Sequence, residues 1–206
     1  MALLKAVQTS FERIAPLALA GNWDNTGLLL SPPALPSTAS KRTVLLTIDL
    51  TLDVLSAAPS DTGVIVSYHP PIFSGLKRIN EDIALQKTLM LCTQKGIAVY
   101  SPHSALDGCV GGINDFLADG LGEGKKRRLV TRHVDGQDGA GEGMVLDLQE
   151  EVKVEELVER VKSHLGMKTG MLVSSYEMLL VIFMNSHVGE VEAADHQKHS
   201  YLCWQW

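Results

Sequence analysis

Leu4, Val7, Phe11, Ile14 and Ala18 recur at spacings of three and four, which predicts an opening amphipathic helix with one apolar stripe, ending near Leu19. Ala20-Gly21-Asn22-Trp23-Asp24-Asn25-Thr26-Gly27 is turn chemistry around one large aromatic, and Leu28 to Leu30 then reads as a short buried strand. Pro32, Pro33 and Pro36 suit neither helix nor ladder and predict a connecting loop. From Thr43 the period changes. Apolar runs at Val44 to Ile48, Val64 to Ser67 and Ile97 to Tyr100, separated by helical stretches, are the signature of a mostly parallel sheet with crossover helices. Asp82 to Lys95 carries Ile83, Leu85, Leu89 and Cys92 and stops at Gly96, and a further helix from Gly112 to about Leu121 is expected to bury Ile113, Phe116 and Leu117.

Beyond the basic run Lys125-Lys126-Arg127-Arg128, Leu129 to His133 and Met144 to Leu148 read as strands around a glycine-rich turn. Val154, Leu157, Val158, Val161 and Leu165 form a helical face, and Met171 to Val173 and Met178 to Phe183 are candidate strands. From Asn185 to Trp206 no period is present, so the expectation is a divergent, disordered tail. The chain is accordingly read as α/β, with a mostly parallel or mixed sheet and crossover helices. The expected organisation is an N-terminal part over 1–124, a second α/β part over 125–184, and the tail over 185–206.

With 206 residues the chain can bury a core without a disulfide or structural metal. Its 18 Lys plus Arg against 24 Asp plus Glu, a formal charge of −6, disfavours direct nucleic-acid contact or an anionic membrane surface. The basic run is too short to reverse that and is read as a solvated loop between two elements. Cys92, Cys109 and Cys203 form neither a paired framework nor a CxxC motif, which points to a reducing compartment. No apolar leader and no membrane-length stretch stands out, so the expected location is the cytoplasm, with the nucleus as an additional site.

In an open α/β sheet ligands bind beyond the carboxyl ends of the parallel strands. The residues at those ends are metal-capable: Asp49 after the first run, Tyr68 and His69 after the second, and Ser101, His103 and Asp107 after the third. Pro70-Pro71 stiffens the backbone after His69 and suits it to a ligand's role. His69, His103 and Asp107 are therefore the candidate metal ligands, and imidazole with carboxylate suits divalent Zn, Fe, Mn, Co or Ni better than Cu(I) or Ca. Asp49 or Thr51 is read as the cap of a helix beginning near Leu52, in preference to ligation by Asp49. Asn22, Trp23 and Asp24 either line the pocket mouth or form a loop stapled to the core by Trp23. His133 and His164 are read as structural, and Cys92 and Cys109 as small buried hydrophobes.

Trp23-Asp24-Asn25-Thr26-Gly27-Leu28-Leu29, Asp49-Leu50-Thr51, Ser67-Tyr68-His69-Pro70-Pro71-Ile72-Phe73, Ser101-Pro102-His103-Ser104-Ala105-Leu106-Asp107 and Gly112-Ile113-Asn114-Asp115-Phe116-Leu117-Ala118 occur in the order and spacing of the NIF-three-like family. That family is also described as dinuclear metal centre proteins or GTP cyclohydrolase type 2 homologues. The resemblance covers about residues 3 to 175. It implies an αβα-layered fold with two facing αβα layers, the second lobe incomplete here over 125–184, a two-metal site, and dimers or larger homo-oligomers. It also implies hydrolase or cyclohydrolase activity, or, for eukaryotic members, regulation through transcriptional cofactors. His69 matches the second position of the family's His-His-Pro motif, whose first position is Tyr68 here, and His103 and Asp107 match its His-x-x-x-Asp segment, the aspartate as bridging ligand.

The family's further His-x-x-x-Glu pair has no counterpart. His187-x-x-Glu190 and His196-x-x-His199 differ in spacing and setting, although His196 and His199 with Glu192 would share one face if that segment were helical. The expectation is a truncated or alternatively ended product. Three functional readings are open: a metal-dependent hydrolase impaired by missing ligands; a non-catalytic oligomeric interaction protein acting with transcription cofactors; and an incompletely folded isoform with exposed sheet edges.

Overall fold

The computed structural model describes residues 2–33, 41–168, 171–175, 178–182 and 200–203. The chain forms two compact units, Met1–Leu106 and Asp107–Trp206. Leu106 is the last residue of the first unit, and the helix at Ile113–Asp119 buries Leu117 and Ala118 in the core of the second.

In the first unit, helix α1 (Ala2–Ile14) and a 3-10 turn (Leu17–Leu19) are followed by strands β1 (Gly27–Leu30) and β2 (Thr43–Thr47), helix α2 (Leu52–Ala57), strand β3 (Thr62–Ser67), helix α3 (Ala84–Gln94) and strand β4 (Ala98–Ser101). The sheet order is β1-β4-β3-β2, with β2, β3 and β4 parallel and β1 antiparallel to β4. Side chains alternate across a strand. Val64, Val66, Ala98 and Tyr100 therefore pack with Val7, Leu4 and Phe11 of α1, while Ile65, Ile97 and Val99 pack with Leu55 of α2 and with Leu89 and Cys92 of α3. Both faces of the sheet are covered, which is why these strands read as continuous apolar runs and gives the expected αβα layering.

Local signals set the element ends. The Thr51 side chain accepts from the Val54 N–H and caps α2. Gly96, at φ +66°, lets its N–H and that of Ile97 close the last turn of α3 on Thr93 and Cys92.

The second unit holds the remainder of α4 (Ser104–Gly108), in which the boundary falls, then α5 (Ile113–Asp119), β5 (Gly124–Arg127), β6 (Val130–Thr131), β7 (Gly141–Glu142), β8 (Met144–Leu148), α6 (Val154–Leu165), β9 (Met171–Ser175), β10 (Met178–Ile182) and β11 (Ser200–Cys203). Its main sheet has the order β5-β8-β11-β10-β9, and β6 pairs with β7 in a separate two-stranded sheet. Leu117, Ala118 and Leu121 pack with Met144 and Leu146 of β8 and Leu157 and Val161 of α6.

The structure corrects three expectations. The basic run is an edge strand and not a loop: Lys126 pairs with Asp119 and Arg128 with Asp115, and an edge strand tolerates such charge. Phe116 is exposed, its ring lying against His164 with centroids 4.3 Å apart, while His164 Nε2 donates to the Phe116 carbonyl. Ser200–Cys203, expected within an unstructured tail, pairs as β11 with β8 and β10; the rest of 185–206, with His187, Glu190, Glu192, His196 and His199, lies outside the described residues.

Candidate metal centre

Parallel strands β2, β3 and β4 end at one edge, and the segments after them carry Asp49, Tyr68, His69 and His103. Because β1 runs antiparallel to β4, with Gly27 opposite Ser101, the segment before β1 reaches the same edge and brings Trp23, Asp24 and Asn25 there. The backbone at His69 is fixed: its N–H donates to the Ile48 carbonyl at 3.0 Å, and Ser67 Oγ donates to its carbonyl at 2.8 Å.

Two imidazoles stand at the centre. His69 Nδ1 donates to Asp49 Oδ1 at 2.8 Å, and His103 Nδ1 donates to Asp24 Oδ1 at 2.8 Å. An ionised carboxylate only accepts, so each contact places a ring proton on Nδ1, and in the neutral imidazole Nε2 then keeps its lone pair. The two partners differ. Asp49 is exposed, whereas the Asp24 side chain is 0% exposed and also accepts from Ser104 N–H at 3.1 Å and, at short range, from Ser104 Oγ. Burial alone would raise the Asp24 carboxyl, but the hydrogen bonds from Ser104 and His103 outweigh it and hold it below the ordinary carboxylate value. His103 has φ +33°, the one positive φ among non-glycine described residues, a conformation that Asp24 and Ser104 hold in place.

The ring centroids of His69 and His103 are 5.8 Å apart. Two imidazoles bound through Nε2 at about 2.1 Å to one ion place their ring centres roughly 5 to 6 Å apart, so the pair has a spacing that suits a shared divalent ion. The carboxylate on each Nδ1 is the arrangement that orients ligating histidines. Among the described residues, however, no group of three or more His, Cys, Asp or Glu side chains is arranged to hold a metal ion. Within the first unit the donors form a half-site. Asp107, the third residue expected there, opens the second unit on α4, where its carbonyl accepts from Asn114 Nδ2 at 3.0 Å.

The sequence placed His69 and His103 at this edge, gave Asp24 a place in a mouth-lining or stapled loop, and offered Asp49 or Thr51 as the cap of α2. Thr51 is the cap, and both aspartates orient imidazoles. The available signal was the acidic residue in a turn that feeds an antiparallel neighbour of β4; the pairing itself is not written in the local sequence. Trp23 is 52% exposed, which favours the mouth-lining alternative over a ring stapled into the core. Cys92 and Cys109 are buried as expected, and burial pushes the Cys92 thiol up to about 11. A separate cavity of about 230 Å³ in the second unit is lined by Glu123, Leu148, Gln149, Glu150, Val152 and Arg160, the arginine already bonded to Glu156 and the Leu121 carbonyl.

Residues 2–180 match the family described as Duf34/NIF3 (NGG1p interacting factor 3). Protein NIF3 homolog of Schizosaccharomyces pombe is 42% identical over 163 residues, 76% of this chain and 58% of that protein. NGG1-interacting factor 3 of Saccharomyces cerevisiae is 37% identical over 151 residues, 68% of this chain and 52% of that protein. The chain thus spans little more than half the length of these relatives. Among solved structures, the Bacillus cereus protein related to NIF3 superposes with a TM-score of 0.68 at 21% identity, over 86% of this chain and 75% of that one. Reduced HcgD from Methanocaldococcus jannaschii gives 0.67 at 24% identity, over 86% and 68%. These two structures share the fold.

Proposed function

This chain belongs to the Duf34/NIF3 family, and from that premise we propose that it is a divalent-metal-binding protein whose ligands are His69, His103 and Asp107, with metal-assisted hydrolysis as its chemistry. The observation that carries the reading is the pair of imidazoles, each with Nδ1 on a carboxylate, standing 5.8 Å apart at the carboxyl edge of a parallel sheet. Asp24 and Asp49 keep the Nδ1 protons in place, so both Nε2 lone pairs are free for a ligand's role. Asp107 is assigned from its four-residue spacing after His103 and supplies the anionic donor. The donor set suits Zn, Fe, Mn, Co or Ni. A divalent ion held there supplies Lewis-acid polarisation of a substrate oxygen. Tyr68 occupies the position beside His69 and crowds both imidazoles, its ring centre 5.0 Å from His69 and 5.5 Å from His103.

Titration of the purified chain with Co(II) tests the reading. Saturable d–d absorption at near one equivalent, lost in His69→Ala and His103→Ala chains that retain their far-ultraviolet circular dichroism, is the expected result. A folded chain with no saturable Co(II) signal contradicts it.

A second reading is favoured by the name of one relative, the S. cerevisiae protein described as an NGG1-interacting factor. Under it the chain is a homo-oligomeric interaction protein of cytoplasm and nucleus that contacts transcription-cofactor proteins, and its partner binding survives removal of metal by chelation.

A further inference from the structure

Two large rings at the edge that carries His69 and His103 remain half open. Trp23 and Phe73 are each 52% exposed, and their ring centres are 6.3 Å apart with a 49° tilt. Each stands nearly perpendicular to the His103 ring, at 6.2 and 6.4 Å.

Both segments are tied down. The Gly21 N–H donates to Ser104 Oγ at 3.0 Å, Asp24 of the same turn accepts from His103 and Ser104, and Asn25 Nδ2 donates to the carbonyl of Ile72, the residue before Phe73, at 2.5 Å. The indole rests against bare backbone: a Cβ at Gly21 would meet Trp23 Nε1 at 2.5 Å and Cε2 at 2.7 Å. A ring held on one side and open on the other is pre-organised, since its ordering cost was met on folding.

We infer that Trp23 and Phe73 form a binding surface for a planar aromatic ring of the substrate, setting that ring beside the free Nε2 atoms of His69 and His103. The inference rests on the reading of this edge as the reaction site and adds a substrate class to it. Tilted and offset aromatic pairs are favourable at centroid separations of about 4.5–7 Å, so a flat ring can lay its face on one platform and its edge toward the other. A puckered aliphatic ring of the same size gains contact area without that electrostatic match. A cation is the poorer occupant because Asp24, the buried carboxylate nearest the rings, is committed to His103 and Ser104.

The test compares benzamide with cyclohexanecarboxamide, neutral probes with the same amide, by calorimetry on the full 206-residue chain after EDTA treatment. Benzamide is expected to bind about fivefold or more tightly, the scale of one aromatic contact. Trp23→Leu and Phe73→Leu each remove that preference, and Gly21→Ala, which keeps both rings but displaces the indole, weakens benzamide by about threefold. Circular dichroism verifies that each variant is folded. Equal affinity for the two probes, no detectable benzamide binding, or a preference that survives both leucine variants overturns the inference, as does competition by choline, the probe for a cation site. Because the protein is metal-free, the outcome is independent of metal uptake, which is scored separately.

Discussion

Replacing Asp24 by Asn keeps the shape of a fully buried side chain and removes its charge. Asp24 accepts from His103 Nδ1, from Ser104 N–H and from Ser104 Oγ. Asn offers one acceptor oxygen, and its amide nitrogen must face one of those donors. Hydrogen bonds to a charged group contribute about 1.5–3 kcal/mol each, and one partial replacement remains, so the expected loss is about 2–4 kcal/mol at pH 7. The sign with pH comes from the carboxyl's lowered value. Its contribution is fully present above the unfolded carboxyl value of about 3.9 and is lost as pH falls through the lower folded value, so the gap between wild type and variant narrows as pH drops below about 4. His103 has a simple escape: Nδ1 accepts from the new amide and the proton moves to Nε2, the atom needed for a metal. Zinc affinity therefore falls by about 10- to 100-fold. Urea unfolding followed by circular dichroism at pH 7 and 3.5, with zinc competition against a chromophoric chelator, reads both effects. A variant within about 0.5 kcal/mol of wild type, with unchanged zinc affinity, would refute the orienting role of Asp24.

Asp49→Asn, at an exposed carboxylate, is expected to change stability by less than about 0.5 kcal/mol in urea while lowering zinc affinity less than Asp24→Asn does. Thr51→Ala removes the α2 cap and should cost about 1 kcal/mol with zinc affinity unaltered, which separates capping from site chemistry on neighbouring residues. Arg128, 5% exposed, bonds Asp115 at 2.5 Å and the Cys109 carbonyl at 2.9 Å; Arg128→Met should destabilise by about 3 kcal/mol in urea and increase amide exchange across residues 107–112. Ile65→Ala, at a fully buried position of the central strand, should cost about 3–4 kcal/mol in the same assay.

The layered fold was legible because its signals are local and periodic. Val64, Ile65 and Val66 read as a buried strand since both sheet faces are covered, and the Val154 to Leu165 stripe marks α6 at the bounds observed. His69 and His103 were legible for a similar reason: parallel strands deliver their carboxyl-terminal loops to one edge. The missed features depend on pairing. Asp24 reaches His103, 79 residues away in sequence, only because β1 lies antiparallel beside β4. Lys125 to Arg127 form β5 because β8 offers an edge and Asp115 and Asp119 offer countercharges, neither of which shows in the run itself. Phe116 looked like core by spacing, but its partner is the ring of His164 at the surface.

The most direct test of the central claim is the metal content of the purified 206-residue chain by elemental mass spectrometry, beside His69→Ala and Asp107→Ala chains of verified fold. Near-stoichiometric divalent metal in the parent, lost from both variants, is the predicted result. A folded parent without metal, or variants that keep it, would contradict the account and favour the interaction reading.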